Sequence, residues 1–145
     1  MIERSVDGEP LLLHQTAGDP EHDYDPAWDY ELDGPPAPAL VTIARQAAVQ
    51  VASVSGERFA LYAANLHRED VLARYCDGTA SYPIILLDFD AHAAACRHYN
   101  VPLDVAFRTT IGHELGHALQ EREDRDSDED DAEAYAARLE AKITG

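Results

Sequence analysis

Basic residues are scarce in this chain, and lysine is almost missing. Against 28 acids stand 11 bases, of which ten are arginine and Lys142 is the single lysine, for a formal net charge of −17. Such a surface repels nucleic acid and anionic membranes, so neither is expected as a partner. Long hydrophobic runs are missing too. The apolar stretches are short and broken by charge, and no membrane-spanning segment is expected. The start, Met1-Ile2-Glu3-Arg4, lacks the basic-then-apolar pattern of a secretory signal, which makes a cytoplasmic protein the expectation. There are only two cysteines, Cys76 and Cys96, and their spacing is not that of a metal-binding pair. In a reducing compartment, two free and partly buried thiols are expected. Neither cysteine has a basic cluster nearby and no G-x-S-x-G occurs, so nucleophilic catalysis by cysteine or serine has no footing. The acidity reads as compositional, as in a salt-rich cytoplasm or a high-GC genome. A local, functional acidity would instead favour a basic partner.

An apolar share of 46% in 145 residues allows one compact domain with a real core. Residues 1–38 differ from the rest. Gly18 to Pro26 is acidic and turn-rich, and Gly34-Pro35-Pro36-Ala37-Pro38 is a stiff, extended spacer. The expectation is an acidic, Pro-rich, partly disordered extension, with Leu11-Leu12-Leu13 and Trp28 to Leu32 as strand-like patches packing on the domain. A regulatory or pro-segment lying over an active site is the sharper alternative. From Ala39 onward, Leu40, Ile43, Ala44, Ala47, Val51 and Val54 recur at three and four, predicting an amphipathic helix over 39–54 that ends at Ser55-Gly56. Residues 58–62 read as a strand, 68–75 as a short helix, and Asp77-Gly78 as a turn. Pro83 to Asp88, β-branched and nearly all apolar, is the clearest strand. Helices follow over 88–98, with Asp88 or Asp90 as N-cap, then 103–122 and 128–142.

The helix over 103–122 carries His113-Glu114-Leu115-Gly116-His117, an H-E-x-x-H pattern. Residues four apart share a helix face, so two imidazoles stand side by side and can grip one zinc ion. Glu114 is then placed to polarise a water held there. A helical histidine is by default a surface or core residue. Here the flanks, Thr110 to Leu119, are apolar except at these positions, and burying two histidines and a glutamate without partners is costly. A metal removes that cost. Phe107, Ile111, Leu115 and Leu119 form an apolar ridge beside the face of Thr110, His113, Glu114 and His117. Gly112 and Gly116 each cost about 1 kcal/mol of helix propensity, which points to another backbone approaching closely there.

Catalytic zinc takes three protein ligands. Twelve residues past His117 begins Glu129-Asp130-Asp131-Ala132-Glu133-Ala134-Tyr135-Ala136-Ala137. Ala132, Tyr135, Ala136 and Leu139 would form an apolar stripe, with Glu129 and Glu133 one turn apart beside it. Glu129 is the expected third ligand, and Glu133 would accept a hydrogen bond from the free nitrogen of a ligand histidine. Asp124-Arg125-Asp126-Ser127-Asp128 has the D-x-D-x-D look of a calcium loop but has Glu129 where glycine is needed and Tyr135 where glutamate is needed. It reads instead as a solvated connection, with Ser127 or Asp128 starting the last helix. His92 and His98 read as surface histidines. With Tyr82, Tyr99 and Tyr135 they are also candidates for stabilising an oxyanion, Tyr135 being assigned to the core.

H-E-L-G-H-A-L followed by E-x-x-A-[acidic]-x-[aromatic]-A-A resembles the gluzincin metallopeptidases, most closely the ImmA/IrrE family, and the compact size is similar to that of the minigluzincins. The likeness spans roughly residues 80–142. It implies a zincin-like α+β domain over 39–145, a small sheet packed on helices, with Glu129 as metal ligand and Glu133 standing where the family has Asp or Asn. It also implies an extended substrate along the strand around Pro83–Asp88, and a protein substrate such as a regulator or repressor. The expected activity is zinc-dependent peptide hydrolysis. The rivals are a non-catalytic, zinc-stabilised interaction domain and a latent peptidase that removal of residues 1–38 would switch on.

Overall fold

Ile84–Leu87 is buried along its whole length, and so is Ala60–Ala63. A strand buried on both faces belongs in the middle of a sheet, and that is where both lie. The computed structural model describes residues 2–3, 11–13, 32, 34, 36–67, 71–76 and 83–145. Its strands are β1 (Ile2–Glu3), β2 (Leu11–Leu13), β3 (Ala60–Ala63), β4 (Ala73–Cys76) and β5 (Ile84–Leu87). They form one mixed sheet in the order β1-β2-β3-β5-β4. β2, β3 and β5 run parallel, while β1 and β4 are antiparallel at the two edges. The helices are α1 (Pro38–Ser55), α2 (Phe89–Tyr99), α3 (Leu103–Arg122) and α4 (Glu129–Thr144). The fold is α+β, as expected.

Parallel strands need a crossover, and α1 supplies it between β2 and β3. Its inner face is almost all alanine and valine: Val41, Ala44, Ala47, Ala48, Val51 and Ala52. Gly56 ends it with φ 71°, its N–H donating to Ala52 O at 2.9 Å, a left-handed position that glycine takes without strain. The core joins this face to Leu61, Ala63, Ile85 and Leu87 of the sheet and to Phe107, Ile111 and Leu115 of α3. Leu119, the fourth member of the expected ridge, is only half-buried. α3 packs on α1, α2, α4 and the sheet, which explains why its apolar residues are not confined to one stripe.

Three expectations are corrected. Residues 73–76 are a strand, not the end of a helix over 68–75: β4 pairs with β5, Ala73 opposite Leu87 and Cys76 opposite Ile84. β5 is therefore interior, and the expected substrate-pairing edge at 83–88 is taken. His92 is no surface residue; it is 1% exposed and packs on Phe107. The segment before α1 lends β1 and β2 to the sheet, so a truncation at residue 38 would strip two strands from β3. Most of the acidic leader, including Gly18 to Pro26 and Trp28 to Tyr30, lies outside the described residues, as do the turn at Asp77-Gly78 and Tyr82.

Asp88 caps α2. One carboxylate oxygen accepts from Ala91 N at 3.0 Å and the other from Leu66 N at 3.0 Å, tying the end of β5 to the loop after β3. His92 Nδ1–H donates to Asp88 O at 3.0 Å, leaving Nε2 to accept from the Thr110 hydroxyl at 3.1 Å. Burial depresses the His92 pKa below its ordinary 6.5, against the smaller raising effects of the Asp88 carbonyl and charge. A histidine kept neutral by burial takes up its proton more readily when unfolded, so its contribution to stability is full above the unfolded pKa and is lost as pH falls below it. Denaturant titrations between pH 7 and pH 5 should show a shallower loss of stability for His92→Gln than for the wild type. Equal slopes would mean that His92 does not set acid sensitivity.

Candidate metal centre

The site is built on one seam between antiparallel helices. Arg108 Nε donates to Glu140 Oε2 at 2.8 Å. One turn on, Gly112 faces Ala136, where an added Cβ would stand 3.2 Å from the Ala136 Cα. A turn further, Gly116 faces Ala132, where it would stand 3.1 Å from the Cα. At the next turn Gln120 meets Asp128. Each step moves four residues forward on α3 and four back on α4. Charge or amide contacts close the two ends, and glycine against alanine lets the backbones touch between them. The close approach expected of the two glycines is met by α4.

Beside this seam runs a second row. His113 lies 2.8 Å from Glu133 (Nδ1 to Oε1), and His117 lies 3.0 Å from Glu129 (Nε2 to Oε1). Glu129 also reaches back, its Oε2 lying 2.8 Å from His113 Nε2. The two Nε2 atoms are 3.0 Å apart. His113, His117 and Glu129 thus offer three ligand atoms within 4.8 Å of one another, a group able to hold a metal ion. The histidines are largely covered, whereas Glu129 and Glu133 are about three-quarters exposed (74% and 73%). Glu129 opens α4, directly after its N-cap Asp128, whose side chain accepts from Asp131 N.

The chemistry of the donor set fits a cation. Glu133 offers only acceptor atoms to His113 Nδ1, which favours the proton on that nitrogen. The carboxylate sits off the N–H direction, so the contact is one of charge with the N–H dipole more than a formed hydrogen bond. Gln120 Oε1 lies 3.1 Å from His117 Nδ1. Both Nε2 atoms are then lone-pair donors facing each other and a carboxylate. Three acceptors at such distances repel unless a proton or a cation lies among them, and one divalent ion satisfies all three. Ligands of a tetrahedral zinc at about 2.0–2.1 Å stand roughly 3.3 Å apart, against 3.0 Å between the two Nε2 atoms and 2.8 and 3.0 Å from them to the nearer oxygen of Glu129.

Glu114, half-buried, points to the same side. With His113, His117, Gln120 and Glu129 it lines a cleft of ≈ 980 Å³ whose far wall is Val71, Ala73 and Arg74 at the start of β4. The strand beside the cleft is thus the sheet's edge, not its clearest strand. Among the described residues, the expected oxyanion candidates are elsewhere: His92 is buried against Phe107, His98 and Tyr99 are exposed at the end of α2, and Tyr135 packs on the core, where burial raises its phenol pKa. Cys96 is a free, buried thiol whose pKa burial raises, which disfavours the reactive thiolate.

One residue escapes the sequence reading. Gln120 is 1% exposed and makes four polar contacts. Its Oε1 faces His117 Nδ1 and accepts from Asp128 N at 3.1 Å, and its Nε2 donates to Asp128 O and Asp131 Oδ2, both at 2.9 Å. The bond from Gln120, with a smaller contribution from Arg125, holds the Asp131 carboxyl below its usual pKa. The available signal was its position three residues past His117, on the ligand side of the helix. Among the described residues no helix is long and apolar enough to cross a membrane. Compared with protein families, curated proteins and solved structures, the chain finds no match, and what its own geometry provides is a small α+β fold with a His113, His117 and Glu129 group compatible with an HExxH-type metal site.

Proposed function

We propose that this protein is a zinc-dependent peptidase. The observation that carries the reading is the grouping of His113 Nε2 and His117 Nε2, 3.0 Å apart, with the Glu129 carboxylate, whose oxygens lie 2.8 Å from the first and 3.0 Å from the second. Glu114 stands on the same wall of an open cleft. Two imidazoles and a carboxylate suit zinc, and when bound the ion supplies Lewis acidity toward a carbonyl oxygen and water. Glu114 is the proton carrier: its carboxylate takes a proton from the attacking water and passes it to the leaving amine nitrogen. An extended peptide lies along the outer side of β4, the last strand of the sheet order, with main-chain hydrogen bonds giving affinity and the alternate side chains giving specificity. The resemblance to ImmA/IrrE peptidases makes a regulatory protein the favoured substrate.

Metal content tests the reading. Purified protein should carry about one zinc per chain by mass spectrometry, as a three-ligand catalytic site requires, and His113→Ala and Glu129→Ala should each lose it. Wild-type protein that takes up no metal when zinc is offered would sink the proposal.

A further inference from the structure

We infer that Gln120 is the positioning residue of this centre: it fixes the tautomer of His117 and, through the same amide, sets Glu129 opposite it. The inference rests on the metal-site reading given above.

The orientation of the amide is dictated by its surroundings. One end meets two acceptors, Asp128 O and Asp131 Oδ2, at 2.9 Å each. The other end meets the Asp128 backbone N–H at 3.1 Å. A flipped amide would set NH2 against N–H and oxygen against a carbonyl and a carboxylate, losing three bonds at a side chain that is itself only 1% exposed. So Oε1 faces His117 Nδ1, and an amide oxygen only accepts. The imidazole proton must then sit on Nδ1, which leaves the Nε2 lone pair toward His113 and Glu129. Ser127 Oγ, 3.4 Å from the same nitrogen, can give or take a hydrogen bond and so imposes no tautomer.

The second half concerns α4. Glu129 is largely exposed, so packing does not hold its side chain in place. Its backbone is held instead: Gln120 bonds both main-chain groups of Asp128, the residue before it, and the side chain of Asp131, two residues after. A single side chain on the metal helix therefore orients one ligand and anchors the backbone of another. In the sequence the two ligands lie on separate helices joined by an acidic, solvated connection. A crosslink of this kind is what such a site needs in order to be formed before any metal arrives.

The test begins with metal-free wild-type protein at pH 8. Long-range proton–nitrogen correlation spectra of the imidazoles should show His117 protonated at Nδ1. Zinc affinity is then measured by chelator competition in the wild type, Gln120→Leu and Gln120→Glu. Loss of a partner that orients a ligand histidine typically costs about 10- to 100-fold in affinity, and Gln120→Leu should show such a loss together with a mixed His117 tautomer. Gln120→Glu keeps an acceptor for Nδ1–H, so it should restore the tautomer and part of the affinity. Gln120→Leu with wild-type zinc affinity, or wild-type His117 protonated at Nε2, would overturn the inference while leaving the metal centre standing. If Gln120→Leu does not fold, the wild-type tautomer and the Gln120→Glu affinity decide the matter. If the wild type binds no zinc yet His117 is Nδ1-protonated and loses that preference in Gln120→Leu, the hold on His117 stands and the metal reading fails.

Discussion

Glu114→Gln is expected to lower peptide hydrolysis by about 10²- to 10⁴-fold, the usual contribution of a positioned general acid–base group, while metal content stays unchanged. The separation follows from placement. Glu114 is not one of the three residues that could hold an ion, so its loss takes no donor from the proposed site. It lines the cleft between the ligand histidines and the start of β4, where a reacting carbonyl would sit. Glutamine has the same shape and keeps an acceptor oxygen, but it cannot take a proton from water. Turnover of a peptide library, measured beside zinc content, reads both quantities. Full activity in the variant would show the mechanism to be wrong. A wild type that binds zinc, cleaves nothing and is indifferent to Glu114→Gln would instead be a zinc-stabilised interaction domain.

The helices of this centre were legible because a 3.6-residue period leaves little freedom. Once residues 103–122 are helical, His113 and His117 share a face, and once Ala132, Ala136 and Leu139 are the buried stripe of the last helix, Glu129 and Glu133 must flank it. The glycines at 112 and 116 announced a close neighbour. What the sequence does not carry is the pairing of one element with another. Arg68 to Arg74 is rich in helix formers, yet β5 is an apolar strand with an open side, and pairing with it overrides a weak local preference in residues 73–76. The same logic misplaced the substrate edge. The most apolar strand is the one buried on both faces, so it lies inside the sheet, and the edge falls to a strand carrying an exposed residue, Arg74. His92 was open to a better reading, since Phe89, His92 and Cys96 follow the helical period and all three are buried. Gln120 was open only in part: its place three residues past His117 is readable, but its partners on α4, Asp128 and Asp131, become neighbours only when α4 docks in this register.

That register gives the second large effect. Gly116→Val is expected to lower both thermal stability and zinc affinity, and Ala132→Gly in the same chain is expected to recover part of each. A Cβ at residue 116 would stand 3.1 Å from the Ala132 Cα and 3.3 Å from both the Ala132 Cβ and Tyr135 Cδ2. The nearest obstacle is backbone, so no side-chain rotation relieves it and α4 must move away from α3. Overpacking of this kind costs about 1–3 kcal/mol, more than the few tenths of a kcal/mol, roughly, of helix propensity gained by replacing glycine with β-branched valine. The displacement also carries function. Glu129 is three residues from Ala132 on the same helix, and its carboxylate must stay near both His113 Nε2 and His117 Nε2. A movement that a core would absorb as strain therefore opens the ligand set. Removing the Ala132 methyl gives back space at the contact itself, so a double-mutant cycle on unfolding and on zinc affinity should show coupling between the two positions. Additive effects, or a Gly116→Val protein that binds zinc as the wild type does, would mean that the spacing of the two helices is set elsewhere along the seam, by Arg108 with Glu140 or by Gln120 with Asp128.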